Sequence, residues 1–216
     1  MLGMIRQKVS KGESGVRGKQ MRNAFKMCCL FLFLLSHMNS AFGEGAKNMK
    51  AVMIIASSDF RDEELFDTKE VLEKGGVEVT IASSSLSPSR GMLGKIANPQ
   101  ILFGNIKVPD YGAVIFVGGG GASEYWDNAT AHTIARETVS SGKILGAICI
   151  APVTLANAGV LKGKKATVWP SEGKKLLKDG ANYTGKDVQI DSNIVTANGP
   201  KAAKKFGKTI LRLLSK

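Results

Sequence analysis

The 216-residue chain is 44% hydrophobic and 22% charged, ordinary globular proportions that exclude a disordered or collagen-like polymer and lead us to expect one folded domain. Its formal charge of +12 suggests a nucleic-acid partner until the charges are placed. Residues 1–43 hold seven Lys or Arg against Glu13 alone, and the remaining +6 is spread over 162–165, 174–178 and 201–208 without an aromatic platform, so no nucleic acid is expected to bind.

The first segment reads as an address. Basic residues up to Lys26 precede the apolar run Met27 to Leu35, too short to span a bilayer, and Ala41-Phe42-Gly43 supplies the small residues of a cleavage site. We expect a signal peptide over 1–43, with Met21 an alternative start and a retained N-terminal anchor the alternative outcome. The protein is then secreted or periplasmic, with no stable membrane insertion after the signal is removed. Cleavage discards Cys28 and Cys29, leaves Cys149 as the one thiol, and rules out an intramolecular disulfide.

Beyond the leader, the continuous apolar run 50–56 predicts a strand buried on both faces. Residues 62–75 place Leu65, Val71 and Leu72 on one side of a helix that ends at Gly75-Gly76, and 77–82 is a second strand, completing a βαβ unit. Residues 83–110 are rich in Ser, Gly, Pro and Asn and read as loop with a hairpin. A buried strand over 111–117 runs into Gly118-Gly119-Gly120-Gly121, a helix covers 130–141, and the strand 143–148 ends at Cys149. A short helix over 151–158, strands at 166–168, 187–190 and 193–197, and an amphipathic helix over 201–214 complete the chain. This alternation predicts an α/β fold, a flavodoxin-like three-layer sandwich with a mostly parallel sheet, and places ligands beyond the carboxyl ends of the strands. Three chemically interesting stretches fall at such ends: 59–64, 118–121 and Cys149.

Cys149 lies between a buried strand and a helix, at a sharp turn that the small Gly146, Ala147 and Ala151 permit. The helix dipole and free backbone N–H groups there favour a thiolate of low pKa. Position alone also fits a small, inert core residue, and leaves Glu63 and Glu64 indistinguishable as first-turn helical carboxylates. The glycine run lacks the Lys-Ser/Thr ending of a phosphate loop, and no His/Cys cluster forms a metal site, so no cofactor and no metal are expected.

Ala147-Ile148-Cys149-Ile150-Ala151-Pro152, with the tail Ala158-Gly159-Val160-Leu161-Lys162-Gly163-Lys164, resembles the nucleophile elbow of the ThiJ/PfpI family. That family includes the parkinsonism-associated deglycase and belongs to the class I glutamine-amidotransferase-like folds. The resemblance extends to Phe60-Arg61-Asp62-Glu63-Glu64-Leu65, Gly119-Gly120, Ala122-Ser123-Glu124-Tyr125 and Asn198-Gly199-Pro200. It implies that Cys149 is the nucleophile, that Glu64 shares a proton with its sulfur, that Gly119 and Gly120 approach the site, and that the N–H groups of Gly120 and Ile150 serve as oxyanion donors. It also implies a homodimer.

The chain departs from the family where hydrolytic members carry His, having Ile150 directly after the cysteine and Trp169 after the following strand; His132, on a predicted helix, reads as a surface residue. A Cys-Glu pair suffices for addition to a reactive carbonyl or for oxidation by a small oxidant. The resemblance therefore implies glyoxalase- or deglycase-like action on reactive carbonyls, with a non-catalytic, redox-responsive or stress-protective envelope protein as the alternative and a cysteine peptidase or amidase as the third reading.

Overall fold

The computed structural model describes residues 49–216, so the expected signal segment and its cleavage point lie outside the described residues. Seven strands form the main sheet. In chain order they are β1 (Lys50–Ile55), β2 (Glu78–Ser83), β5 (Ile101–Leu102), β6 (Ala113–Phe116), β7 (Ile144–Ile148), β10 (Val188–Asp191) and β11 (Ile194–Ala197). They lie in the order β10-β11-β7-β6-β1-β2-β5, parallel except for the antiparallel β10–β11 pair at one edge.

Continuous apolar runs become central strands because both sheet faces are covered. Ala51, Met53 and Ile55 of β1, with Ala113 and Ile115 of β6, pack on one side with Leu65 and Leu72 of α1 (Asp62–Lys74) and Phe206 and Ile210 of α5 (Ala203–Leu214). Val52, Ile54, Val114 and Phe116 face the other way, toward α2 (Ala129–Ser140) and α3 (Pro152–Asn157). Gly146 in the middle of β7 makes room for α5: a Cβ there would stand 3.0 Å from Phe206 and 3.1 Å from Ile210. Asn128 caps α2 by accepting the Ala131 N–H at 3.0 Å. The expected three-layer α/β sandwich is present, and the carboxyl ends of β1, β6 and β7, three adjacent strands, share one edge.

Local differences from the sequence reading are confined to short pieces. The strand expected at 166–168 is only β8 (Lys165–Ala166), which pairs with β9 (Asn182–Tyr183) outside the main sheet. A helix, α4 (Gly173–Lys178), lies in a lysine-rich stretch whose six residues carry too little apolar periodicity to announce it.

The stretch 83–110 contains the expected hairpin, β3 (Ser89–Arg90) against β4 (Ile96–Ala97), and also the edge strand β5. Asp62 holds the hairpin turn. Its side chain is 1% exposed and its two oxygens accept the Leu93 N–H at 2.7 Å and the Lys95 N–H at 2.8 Å. Asp62→Ala should therefore cost about 2–3 kcal/mol, since hydrogen bonds to a charged acceptor are lost at a buried position. The check is thermal unfolding together with amide exchange, which should accelerate at Leu93 and Lys95; unchanged exchange at both amides would show that other contacts hold the turn.

Candidate active site

The three stretches singled out by sequence meet at the common edge. The turn after β1 leads into α1, which carries Glu64 in its first turn; β6 ends in the glycine run; β7 ends at Cys149. Backbone hydrogen bonds clasp them together: Arg61 N–H donates to the Gly118 carbonyl at 2.9 Å, Cys149 N–H to Ala197 at 2.9 Å, and Trp169 N–H to the Cys149 carbonyl at 2.8 Å.

Cys149 has φ +62°, a left-handed conformation that costs a side-chain-bearing residue roughly 1–3 kcal/mol and persists because these neighbours hold it on both sides. Gly118 must be glycine. A Cβ there would stand 2.5 Å from the Cys149 Cβ and 2.6 Å from Glu64 Oε2, so the sulfur and the carboxyl can meet only across a residue without a side chain.

Glu64 is wholly buried. Oε2 accepts the Gly118 N–H at 3.0 Å, while Oε1 is buried without a hydrogen-bond partner. Burial pushes the Glu64 carboxyl up to about 8, against hydrogen bonding with Cys149 and Gly118 and the charge of Arg61, which pull it down. Glu63, one residue away, instead pairs with Arg61 at 2.8 Å near the surface, and this separates the two carboxylates that the sequence left equivalent.

Cys149 is 8% exposed. Burial first, and then the adjacent Glu64, push its thiol up to about 12, while the N–H groups of Gly119 and Ile150 pull in the opposite direction. The two groups form one buried pair, in which the charge on either raises the cost of ionising the other.

The N–H groups of Gly119 and Ile150 face the sulfur, and the Gly120 N–H, one of the two expected oxyanion donors, lies 3.4 Å from the thioether of Met92. Both glycines line a cavity of about 270 Å³ above Cys149, walled by Arg61, Met92, Ile150, Trp169 and Pro200.

Arg61, Met92, Trp169 and Pro200 were not singled out by sequence as walls, because they come from four separate segments that only the fold brings together. Trp126 Nε1 donates to the Ile150 carbonyl at 3.2 Å and steadies the residue after the cysteine. His132 lies in α2 with Nε2 on the Trp126 carbonyl at 2.7 Å and is not among the residues lining the cavity. Among the described residues no group of acidic, His and Cys side chains is arranged to hold a metal ion.

Comparison with known proteins agrees with this architecture. The family model described as the DJ-1/PfpI family matches residues 49–213. An uncharacterised protein of Methanocaldococcus jannaschii is 40% identical over 176 residues, covering 80% of this chain and 86% of its own. A protein of Pyrococcus horikoshii named as a deglycase is 28% identical over 163 residues, 76% of this chain and 98% of its own. The crystal structure of a ThiJ/PfpI domain protein from Brachyspira murdochii superposes with a TM-score of 0.75 at 29% identity, covering 76% of this chain and 95% of that one.

The raised carboxyl fixes a sign for stability. Below the ordinary glutamate value, 4.5, folded and unfolded chains both carry the proton; between 4.5 and about 8 only the folded chain does, so stability falls as pH rises through that window. The full effect is about 5 kcal/mol. Glu64→Gln removes it, so the variant's Tm should gain on the wild type between pH 5 and pH 8.5. A Tm difference independent of pH would contradict the raised carboxyl.

Proposed function

The chain belongs to the DJ-1/PfpI family, and on that premise we propose that it acts on small reactive carbonyl compounds, with Cys149 as the nucleophile and Glu64 as the group that moves protons. The observation carrying this reading is Cys149 in the lining of a cavity of about 270 Å³, a size suited to a metabolite of a few carbon atoms, with the buried Glu64 carboxyl beside the sulfur. A base whose proton leaves near 8 is matched to proton transfer at neutral pH. The deglycase name of the Pyrococcus relative supports the same chemical class.

For an α-oxoaldehyde the steps balance without a cofactor. Sulfur bonds to the aldehyde carbon and the thiol proton passes to the carbonyl oxygen, giving a hemithioacetal. Glu64, in its ionised form, takes the proton from that carbon and returns it to the adjacent one, while the hydroxyl proton passes from the first oxygen to the second, so the first carbon is oxidised as the second is reduced. Water then breaks the C–S bond of the resulting thioester, releasing a 2-hydroxy acid and restoring the thiol. The N–H groups of Gly119, Gly120 and Ile150 are the available donors for oxygen anions formed on the way. With isoleucine at 150 and tryptophan at 169, the final water has no imidazole to activate it, so the thioester step is expected to be slow.

The alternative reading, a redox-responsive or protective role in which oxidation of Cys149 is the event, draws on the same sulfur. The leader points to a site of action outside the cytosol in either case.

Intact mass measurement with methylglyoxal tests the proposal. An adduct of one oxoaldehyde on Cys149 and formation of lactate are expected; Cys149→Ser should abolish both, and Glu64→Gln should reduce lactate by roughly 10²-fold or more while still forming the hemithioacetal. A stable sulfinic mass after dilute peroxide with no lactate favours the alternative. A folded protein giving neither adduct nor lactate would defeat the carbonyl reading.

A further inference from the structure

A second cavity, of about 420 Å³, adjoins the one above Cys149. The two share Arg61, Trp169 and Pro200, whereas Asp187, Asn198 and Lys201 belong to the second alone. Trp169 is fixed as a common wall. Its backbone N–H donates to the Cys149 carbonyl at 2.8 Å, and its ring lies on Gly199, where a Cβ would stand 2.8 Å from the indole Cε3 and 2.9 Å from Cζ3. Although held in this way, the residue is 43% exposed. An indole kept in one position with so much apolar surface in water is a preformed contact for a ligand.

The two cavities differ in charge. Apart from Arg61, the inner one is walled by glycine backbone and by Met92, Ile150, Trp169 and Pro200, which carry no charge. At the outer one, Glu63 accepts from Arg61 Nε at 2.8 Å and from Nη2 at 3.1 Å, which fixes the guanidinium and leaves Nη1 without a hydrogen-bond partner among the described residues. Lys201 is exposed and makes no ion pair among the described residues. Asp187, the carboxylate of this cavity, is already engaged: Lys205 stands 3.7 Å away and Asn198 Nδ2 donates to it at 3.4 Å. Arg61, Lys201 and Lys205 thus outnumber Glu63 and Asp187, and the surplus charge is positive.

A small neutral oxoaldehyde occupies the inner cavity and uses none of this. We infer that the substrate carries an oxyanion, a carboxylate or a phosphate, remote from its carbonyl group: the carbonyl head meets Cys149, the connecting carbons lie along the Trp169 indole, and Arg61 and Lys201 hold the anionic tail. The planar fork of the guanidinium matches two oxygens of either group, and the ammonium adds a charge that can follow the tail. The head reacts as before, sulfur bonding to the aldehyde carbon and the thiol proton passing to its oxygen, while the tail makes and breaks no covalent bond. Contacts to a remote tail serve to orient the head. The head's part in this rests on the carbonyl reading; the anion site does not.

Two measurements on the whole chain test the inference. In the first, intact mass follows the Cys149 adduct of succinic semialdehyde against that of butanal, an aldehyde of equal chain length without the carboxylate. The charged aldehyde should saturate at a roughly five- to twentyfold lower concentration, the range for two exposed charge pairs, and the preference should shrink in about 0.5 M salt. Lys201→Gln and Arg61→Gln should each cut it roughly two- to fivefold, and Lys201→Arg should keep it. In the second, indole fluorescence is titrated with succinate and with glycerol phosphate, neither of which reacts with a thiol. A saturable change that is lost in Trp169→Phe and weakened in Lys201→Gln is expected, and the anion that saturates at the lower concentration identifies the tail. No adduct from either aldehyde, with the fluorescence response intact, removes the carbonyl reading and leaves the anion site standing. Equal saturation by the two aldehydes, a preference that survives both glutamine variants, or a fluorescence response to neither anion would each overturn the inference.

Discussion

A carboxyl group and a thiol, both withdrawn from water, face one another where three parallel strands end, and neither can ionise without placing a charge in a poorly solvated pocket. Burial raises both of them, and each is the other's neighbour, so the two groups ionise as a coupled pair. The surrounding structure follows from keeping that pair together. Gly118 has no side chain to intervene, Cys149 is held at φ +62°, and Arg61, ahead of α1, is tied by its backbone to the same glycine. The roughly 5 kcal/mol that a buried, ionising carboxyl withdraws from stability at high pH is a large fraction of what a domain of this size has to spare. A purely structural role for Glu64 would be served better by an apolar residue.

The sheet order explains why the pair forms at all. β1 has β2 on one side and β6 on the other, so the chain switches direction across the sheet at β1, and the loops leaving β1 and β6 part there. The glycine run after β6 and the α1 first turn after β1 occupy that crevice, with the β7 elbow one strand further on. Asp62 extends the arrangement by fastening the β3–β4 turn to α1, which carries Met92 over the cavity. The residues 62 and 64, two apart on one helical turn, thus divide the labour between wall and floor.

Much of this was legible in the sequence, and the reason is local. Runs such as 50–56 and 143–148 are apolar at every position because their strands are covered on both faces, and glycines mark where backbone and sulfur approach. The elbow around Cys149 needed only small neighbours, which are visible in the chain. What the sequence did not carry was set by packing across distance. Nothing in Glu63-Glu64 says which carboxylate turns inward; the core contacts of α1 decide it. The direction in which the sulfur's pKa is pushed depends on its burial and on the neighbouring Glu64, neither of which a motif encodes. That Met92, from 28 residues upstream, lies against the Gly120 amide is likewise set by the fold. Two-residue strands such as β5 and β8 have no periodicity to read.

The absence of histidine at 150 and 169 bears on how the remaining groups must share the work. In a Cys-His pair the imidazole withdraws the thiol proton in advance, and the nucleophile waits as an ion pair. Here the acceptor is a carboxyl that burial holds toward its neutral form, with the N–H groups of Gly119, Gly120 and Ile150 nearby as hydrogen-bond donors. A step that needs an activated water is the one that a pair without imidazole serves least well.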